Sequence, residues 1–413
     1  MIWLKSLMLL LGIGGAHLQC FTPSGNVPAL GSNANLSGIV DFGLGLYKQL
    51  TLERPSENFI SSPYSIWAAL VVVYFGAAGN TQAQLAKVLQ VADKPSANRL
   101  WKGLEHLYKQ EYSTTISVDV ANRAYINESF TLLPCVQTAF PDELRTLNFY
   151  DTKKAAAVMN DFVSQKTRGF IPNIVTEDLI RSANVVLVNA IHFRGLWKKA
   201  FKRPSTQRRD FSVAPSNTVS VDMMSQVEDF NYGESGELDA RVLEMPYAGS
   251  SLSMILLLPN ANGKGSSPLA NLVRRLSSAA LRDAISTSRL KSRPVDVLLP
   301  KIKFRGELSK NLVDAIKKMG IKDIFNEIRA DLSQFSSKSK LVVTDIIHKA
   351  HLDIDEEGTE PVAAAKRNPE ANRNRSAPVQ FHCDRPFAFV ICDRKTNNIL
   401  FIGDVKDPGS LQS

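Results

Sequence analysis

The feature that most constrains the fold is a change in the spacing of apolar residues along the chain. Near the start, residues 37–50 and 63–74 carry apolar side chains at helical spacing, and a Ser-Ser-Pro start signal opens the second segment. From about Val118 onward, strand-like apolar segments dominate, at residues 184–193, 240–246, 251–258, 295–304, 387–393 and 399–405. Helices followed by strands predict an α+β fold.

The composition is that of a globular protein with a large core. The 413 residues are 44% hydrophobic and 22% charged, which excludes collagen-like, low-complexity and largely disordered classes. No internal repeat and no proline-rich linker divides the chain. We therefore predict one monomeric domain over residues 36–408, followed by a C-terminal tail over residues 409–413.

The N-terminal residues have the pattern of a secretory signal. Lys5 supplies a positive charge, residues 6–15 are apolar, and small residues near Ala16 suit cleavage. We predict a signal peptide over residues 1–20, a polar extension over residues 21–35, and a secreted, extracellular protein. The next most apolar run, residues 66–78, is shorter than the ~20 residues that a membrane span needs, so no membrane association is expected.

Sequence motifs of catalysis are absent. The chain has no GxSxG nucleophile elbow, HExxH zinc site, P-loop or dinucleotide-binding GxGxxG, and its six histidines lack ligand spacing. We therefore expect no enzyme activity, no metal site and no required cofactor. The net charge of +9 favours polyanions or acidic surfaces, without the features of a module that binds a specific nucleic acid.

Cysteine usage and one long segment complete the pattern. Four cysteines are few for an extracellular chain, and Cys383 and Cys392 are expected to be free buried thiols rather than a pair. Residues 356–379 are rich in Ala, Arg, Asn and Pro and have neither a helical nor a strand period. This composition predicts a long exposed loop, and loops of that length are usually functional or disordered.

Five segments of the chain resemble signatures of the serpin superfamily and occur in the order typical of that family. They lie at residues 58–70, 76–81, 188–201, 348–360 and 381–408. The closing segment, FHCDRPFAFVICDRKTNNILFIGDVKDP, is the most specific, and together the five cover about residues 36–408. The resemblance implies one α+β domain with about nine helices around three β-sheets and an exposed reactive-centre loop.

The resemblance also implies a mechanism. In inhibitory serpins a target protease cleaves the loop, which then inserts as a new central strand and carries the acyl-bound protease to the far pole. We therefore expect a secreted inhibitor that covalently traps a trypsin-like serine protease as a suicide substrate. The alternative is a non-inhibitory binding or carrier serpin whose loop is cleaved without trapping.

The resemblance assigns the hinge of the loop to Glu356, Glu357, Gly358, Thr359, Glu360, Ala363, Ala364 and Ala365. Small side chains suit this role, because they fit beneath a covering helix after insertion. Pro361 departs from the family pattern, since a proline inside a central strand removes a ladder hydrogen bond. If Thr359 points inward after insertion, Arg367 does so too and would be buried without an evident partner.

Two ways of counting give different positions for the scissile bond. Counting forward from Gly358 at the family spacing gives the bond between Asn372 and Arg373, whereas counting back from the C-terminal strands gives the bond between Arg375 and Ser376. We favour Arg375, then Arg373, because arginine suits an acidic specificity pocket. N-glycosylation sequons begin at Asn35, Asn127 and Asn374, and a glycan on Asn374 would obstruct the proposed bond.

Five residues match positions where the family holds its main sheet closed. Ser62, Ser65, Asn189 and His348 match a polar cluster beneath the opening of that sheet, and Trp197 matches a tryptophan at its top. Buried polar groups must be hydrogen-bonded, so such a cluster can release the sheet cooperatively.

A stripe of basic residues marks a candidate polyanion site. Arg99, Lys102, His106 and Lys109 fall on one helical face, and the segment matches a helix with which some serpins bind heparin. Glu105 lies among them and dilutes the charge. We therefore consider a heparin-like sulfated glycosaminoglycan as a second possible partner. The alternative is that these residues form only a solvated helical face.

Overall fold

The computed structural model describes residues 30, 34–110, 115–261, 267–336, 340–357 and 377–411. Those residues form ten α-helices: α1 (Ser37–Leu52), α2 (Pro63–Gly76), α3 (Gly79–Leu89), α4 (Lys94–Gln110), α5 (Pro134–Ala139), α6 (Thr152–Lys166), α7 (Glu177–Ile180), α8 (Pro268–Arg275), α9 (Ser278–Ala284) and α10 (Lys310–Met319). None of the described helices combines the length and the apolar composition needed to cross a bilayer.

The same residues form fourteen strands: β1 (Phe59–Ser61), β2 (Ile116–Asn127), β3 (Leu144–Leu147), β4 (Val185–Gly195), β5 (Gln207–Ala214), β6 (Asn217–Ser235), β7 (Ala240–Pro246), β8 (Leu252–Pro259), β9 (Lys291–Pro300), β10 (Ile302–Leu308), β11 (Val343–Ile354), β12 (Val379–His382), β13 (Phe387–Asp393) and β14 (Ile399–Val405). The α+β prediction is confirmed, with helices concentrated in the first half of the chain and most strands in the second.

Hydrogen bonding joins the described strands into two sheets, where the resemblance implies three. One sheet has five strands in the order β10-β11-β4-β2-β3, and the other has nine in the order β1-β14-β13-β8-β7-β6-β9-β12, with β5 paired to β6. The 19-residue strand β6 pairs with β5, β9 and β7 along its length. This one long strand fuses what would otherwise be two smaller sheets.

One predicted strand, residues 295–304, is two strands in the structure. β9 ends at Pro300 in the nine-stranded sheet, and β10 begins at Ile302 in the five-stranded sheet. The chain changes sheet at Lys301. The apolar pattern runs through this crossing because both strands face the core, so the pattern alone could not reveal it.

Helix α2 lies at the centre of the core. All of its 14 residues are buried, and the helix starts at Pro63 because Ser62 caps it by accepting a hydrogen bond from the Ser65 amide. It packs against α1 and the five-stranded sheet. On the other face of that sheet, α6 buries Met159 and Val163 in a second apolar cluster. Cys383 and Cys392 are free and buried, as expected.

Candidate functional site

The candidate loop connects the two sheets. Strand β11 of the five-stranded sheet leads into residues 355–357, and β12 of the nine-stranded sheet follows residues 377 and 378. The part of the loop outside the described residues contains Gly358, Thr359, Glu360, Pro361, Ala363, Ala364, Ala365, Arg367, Asn372, Arg373, Asn374, Arg375 and Ser376. Their roles therefore stay predictions from the sequence.

The start of the loop is held by polar contacts rather than exposed. Glu356 is 6% exposed, its Oε2 lies 3.0 Å from Nζ of Lys301, and its Oε1 accepts a hydrogen bond of 2.7 Å from Thr206 Oγ1. Burial alone would raise the pKa of the Glu356 carboxyl, but the bonds from Thr206 and Lys301 lower it below its usual value. The prediction of an exposed loop over residues 356–379 is therefore wrong at Glu356, and also at its far end, where Val379 begins β12.

Trp197 fixes the same stretch of backbone. Its indole Nε1 donates to the Asp355 carbonyl oxygen at 2.9 Å, and its amide donates to the Glu357 carbonyl oxygen at 3.0 Å. The ring stacks on Tyr247 with centroids 4.6 Å apart and is 4% exposed. Trp197 thus anchors the point at which β11 gives way to the loop.

Beneath the middle of the five-stranded sheet, the predicted polar cluster is assembled by hydrogen bonds. The Ser62 amide donates to His348 Nε2 at 3.0 Å, His348 Nδ1 bonds to Asn189 Oδ1, and Asn189 Nδ2 donates to the Ser65 carbonyl oxygen at 2.8 Å. All four residues are fully buried. The cluster therefore ties β4 and β11 to the first turn of α2.

A fifth member, Asn122 on β2, was missed by the sequence analysis. Its Oδ1 accepts hydrogen bonds from Ser65 Oγ, at 3.1 Å, and from Asn189 Nδ2. Little signal was present in the sequence, because β2 carries several other polar residues. The partners of Asn122 come from distant segments, and only the register of β2 with β4 brings it opposite Asn189. Asn122 extends the network across a third strand.

The geometry assigns the protonation state of His348. Nε2 accepts a hydrogen bond from a backbone amide, so it carries no proton, and Nδ1 is the donor to Asn189. Burial lowers the pKa of His348 to about 3. The ring is neutral at physiological pH and pairs with Asn189 directly across the parallel strands β11 and β4.

Comparison with known proteins gives these features a family. The model of the serpin family, described as serine protease inhibitor, matches residues 37–408. The chain belongs to the serpin family. Members of this family act without enzyme activity of their own, so this serpin is not an enzyme. The predicted fold and family are confirmed.

The similarity to individual serpins spans nearly the whole chain. This serpin is 31% identical to the leukocyte elastase inhibitor of Homo sapiens, over 89% of this chain and 97% of that protein. It is 33% identical to Ipis-1 of Ixodes persulcatus, over 91% and 99%. Among solved structures, uncleaved ovalbumin matches with a TM-score of 0.79 at 29% identity over 91% and 100%, and native protease nexin-1 with heparin matches with 0.78 at 30% over 90% and 98%.

The basic stripe of this serpin lies on α4, and two of its four residues form ion pairs with acidic side chains. Lys102 Nζ is 2.8 Å from Glu143 and 3.1 Å from Glu105, and Lys109 Nζ is 3.2 Å from Glu105. Lys102 is also half-buried and lies 3.8 Å from the Trp101 ring centroid. Arg99 and His106 are exposed on the same helix. The stripe exists, but it carries less free positive charge than its sequence indicates.

The sequons differ in accessibility. Asn35 is exposed, and its Oδ1 accepts hydrogen bonds from the amide and hydroxyl of Ser37. Asn127 is 8% exposed at the end of β2, where its Oδ1 accepts from the Ser129 amide. The third sequon, at Asn374, lies outside the described residues. Asn35 is therefore the better placed of the two described acceptors for a glycan.

Proposed function

We propose that this serpin is a secreted inhibitor that covalently traps a trypsin-like serine protease. The observation that carries the proposal is the direct parallel pairing of β4 with β11, from which the loop continues without interruption. A cleaved loop that turns back from the end of β11 would run antiparallel to both strands. One parallel ladder would then be replaced by two antiparallel ones, and the inserted strand would bury additional apolar surface.

The chemistry of trapping requires no catalytic residue from the serpin. The protease serine Oγ attacks the carbonyl carbon of the loop arginine, the peptide bond to the next residue breaks, and that residue leaves with a free amine. The loop carbonyl is then joined to the protease as an ester. If insertion is faster than hydrolysis of the ester, movement of the loop distorts the protease before it can deacylate.

The trypsin-like target rests on the loop arginines. Arg375, followed by Ser376, is our first choice for the residue before the cleaved bond, Arg373 is the second and Asn372 the third. An arginine enters an acidic specificity pocket through a charge-assisted, bidentate hydrogen bond that asparagine could not make. Secretion rests on the signal pattern of residues 1–20.

The competing proposal is a binding or carrier serpin whose loop is cut without trapping. Pro361 and Arg367 favour it, because the inserted strand would lack one ladder hydrogen bond and would bury a cation. The hinge sequence EEGTE, the following alanines and the relatives named leukocyte elastase inhibitor favour inhibition.

A gel with trypsin separates the two proposals. We expect a complex that survives SDS, because an ester bond resists denaturation, and we expect Arg375→Ala to reduce its amount at least about 10-fold. Trypsin with its catalytic serine replaced is the control and should give no complex. If every ratio of serpin to trypsin yields only cleaved loop, the inhibitory proposal fails and the carrier proposal replaces it.

A further inference from the structure

The densest run of positive charge in the described structure lies away from α4, in residues 198–209. Six of these twelve residues are lysine or arginine, and none is acidic. The run begins after the end of β4, passes through a short 3-10 turn at Arg203–Ser205 and ends within β5. We call it the 198–209 segment.

Half of its cations have an acidic partner. Lys199 lies 3.8 Å from Glu228, Arg203 lies 3.0 Å from Glu357, and Arg208 lies 3.8 Å from Asp222. The side chains of Arg203 and Arg208 are 70% and 61% exposed, so water already screens their ion pairs. A polyanion can replace such carboxylates as the partner of an exposed arginine.

The other half have no such partner. Lys198, Lys202 and Arg209 are exposed and form no ion pair with any residue that the structure describes. In α4, by contrast, Glu105 alone contacts both Lys102 and Lys109. Uncompensated cations concentrate counterions and ligands of opposite charge. The 198–209 segment should therefore attract polyanions more strongly than α4 does.

The surroundings indicate the class of polyanion. Three aromatic residues lie beside these cations, Trp197, Phe201 and Phe230, and each is 4% exposed, so they offer no ring on which a nucleic-acid base could stack. The exposed large apolar side chains of the described residues lie outside the segment, so it lacks the apolar contacts that strengthen binding to a membrane surface. These features favour a sulfated polysaccharide, whose recognition needs charge alone.

The segment also contacts the start of the reactive loop. The Phe201 amide donates to the Glu356 carbonyl oxygen at 2.7 Å, and Thr206 Oγ1 and Arg203 contact the side chains of Glu356 and Glu357. We propose that the 198–209 segment, rather than α4, is the principal site at which this serpin binds a sulfated polysaccharide. The site would place that ligand beside the base of the loop, and it stands whether or not the serpin inhibits a protease.

Heparin is the probe, with two triple variants of the full-length protein that each remove three cations. Lys198→Ala, Lys202→Ala, Arg209→Ala should weaken binding at least about 10-fold and flatten its dependence on salt, because fewer counterions are exchanged. The matched control, Arg99→Ala, Lys102→Ala, Lys109→Ala, should change the affinity less than about 3-fold. An equal or larger loss in the α4 variant would overturn the proposal.

A single substitution tests the site in the opposite direction. Glu357→Gln removes the carboxylate partner of Arg203 without removing a cation, so it should raise the salt concentration at which the protein leaves a heparin column. Unchanged or earlier elution of this variant would count against the site. Equal retention of a single-stranded DNA oligonucleotide and heparin at matched charge would overturn the choice of polysaccharide.

Discussion

At the scale of single residues, His348 is the residue on which the closure of the five-stranded sheet depends most. It accepts a hydrogen bond from the Ser62 amide and forms a second one with Asn189. These two bonds link β11, on which His348 lies, to α2 and β4. Its full burial and low pKa, about 3, mean that a proton on the ring would remove one of these bonds and introduce an unpaired charge.

This makes His348 a source of acid sensitivity. The native pKa lies below the ordinary value of about 6.5, so the unfolded state binds the proton more readily, and stability is lost as pH falls from about 6.5 toward 3. Between pH 7 and pH 5 the loss from this one group is about 2 kcal/mol. Urea unfolding of the wild type and of His348→Gln at both pH values measures it.

The variant should be less stable than the wild type at pH 7, because the neighbours of the ring lose hydrogen bonds. It should nevertheless lose about 2 kcal/mol less on going to pH 5. His351, whose pKa is lowered to about 4 by burial and by Arg305, contributes acid sensitivity of its own and remains in both proteins. An equal loss in the two proteins would show that His348 is not a titrating group in this range.

At the scale of elements, the sequence pattern predicted the first and last residues of some strands correctly. It did not predict other features, for reasons that the structure identifies. β7, β13 and β14 have the predicted bounds, because apolar residues make up most of each segment. The split at Lys301, the burial of Glu356 and the ion pair of Lys102 with Glu143 were not predictable. Each depends on residues far along the chain that only the folded structure brings together.

In the proposed mechanism, the element that decides function is a strand that would form only after cleavage. Pro361 and Arg367 hinder it, since one lacks an amide and the other would place a charge inside the sheet. We therefore expect Pro361→Ala, Arg367→Ala to raise the fraction of encounters with trypsin that end in a stable complex by at least about 3-fold. The measurement is the number of serpin molecules consumed per protease molecule inhibited, with Arg375→Ala in the same background as control. No change in that ratio would refute the assigned hindrance.

At the scale of the whole molecule, the five-stranded sheet of the intact protein is closed, and it could become more stable by accepting the cleaved loop as an additional strand. The direct β4–β11 pairing keeps the sheet at five described strands, and the buried cluster around Asn189 and His348 holds that pairing together. In the proposed mechanism, opening the sheet would disrupt this network before insertion restored hydrogen bonds to β4 and β11. The barrier, rather than equilibrium stability, would then keep the intact form in place.

Scanning calorimetry of the intact protein and of protein cleaved only within residues 358–376 tests loop insertion most directly. An inserted strand adds hydrogen bonds and buried apolar surface, so cleavage should raise the midpoint of unfolding by about 10 °C or more, and further in the Pro361→Ala, Arg367→Ala variant. Cutting a loop that stays in solvent frees only two solvated ends. An unchanged midpoint in both cleaved proteins would contradict loop insertion and the hindrance assigned to those two residues.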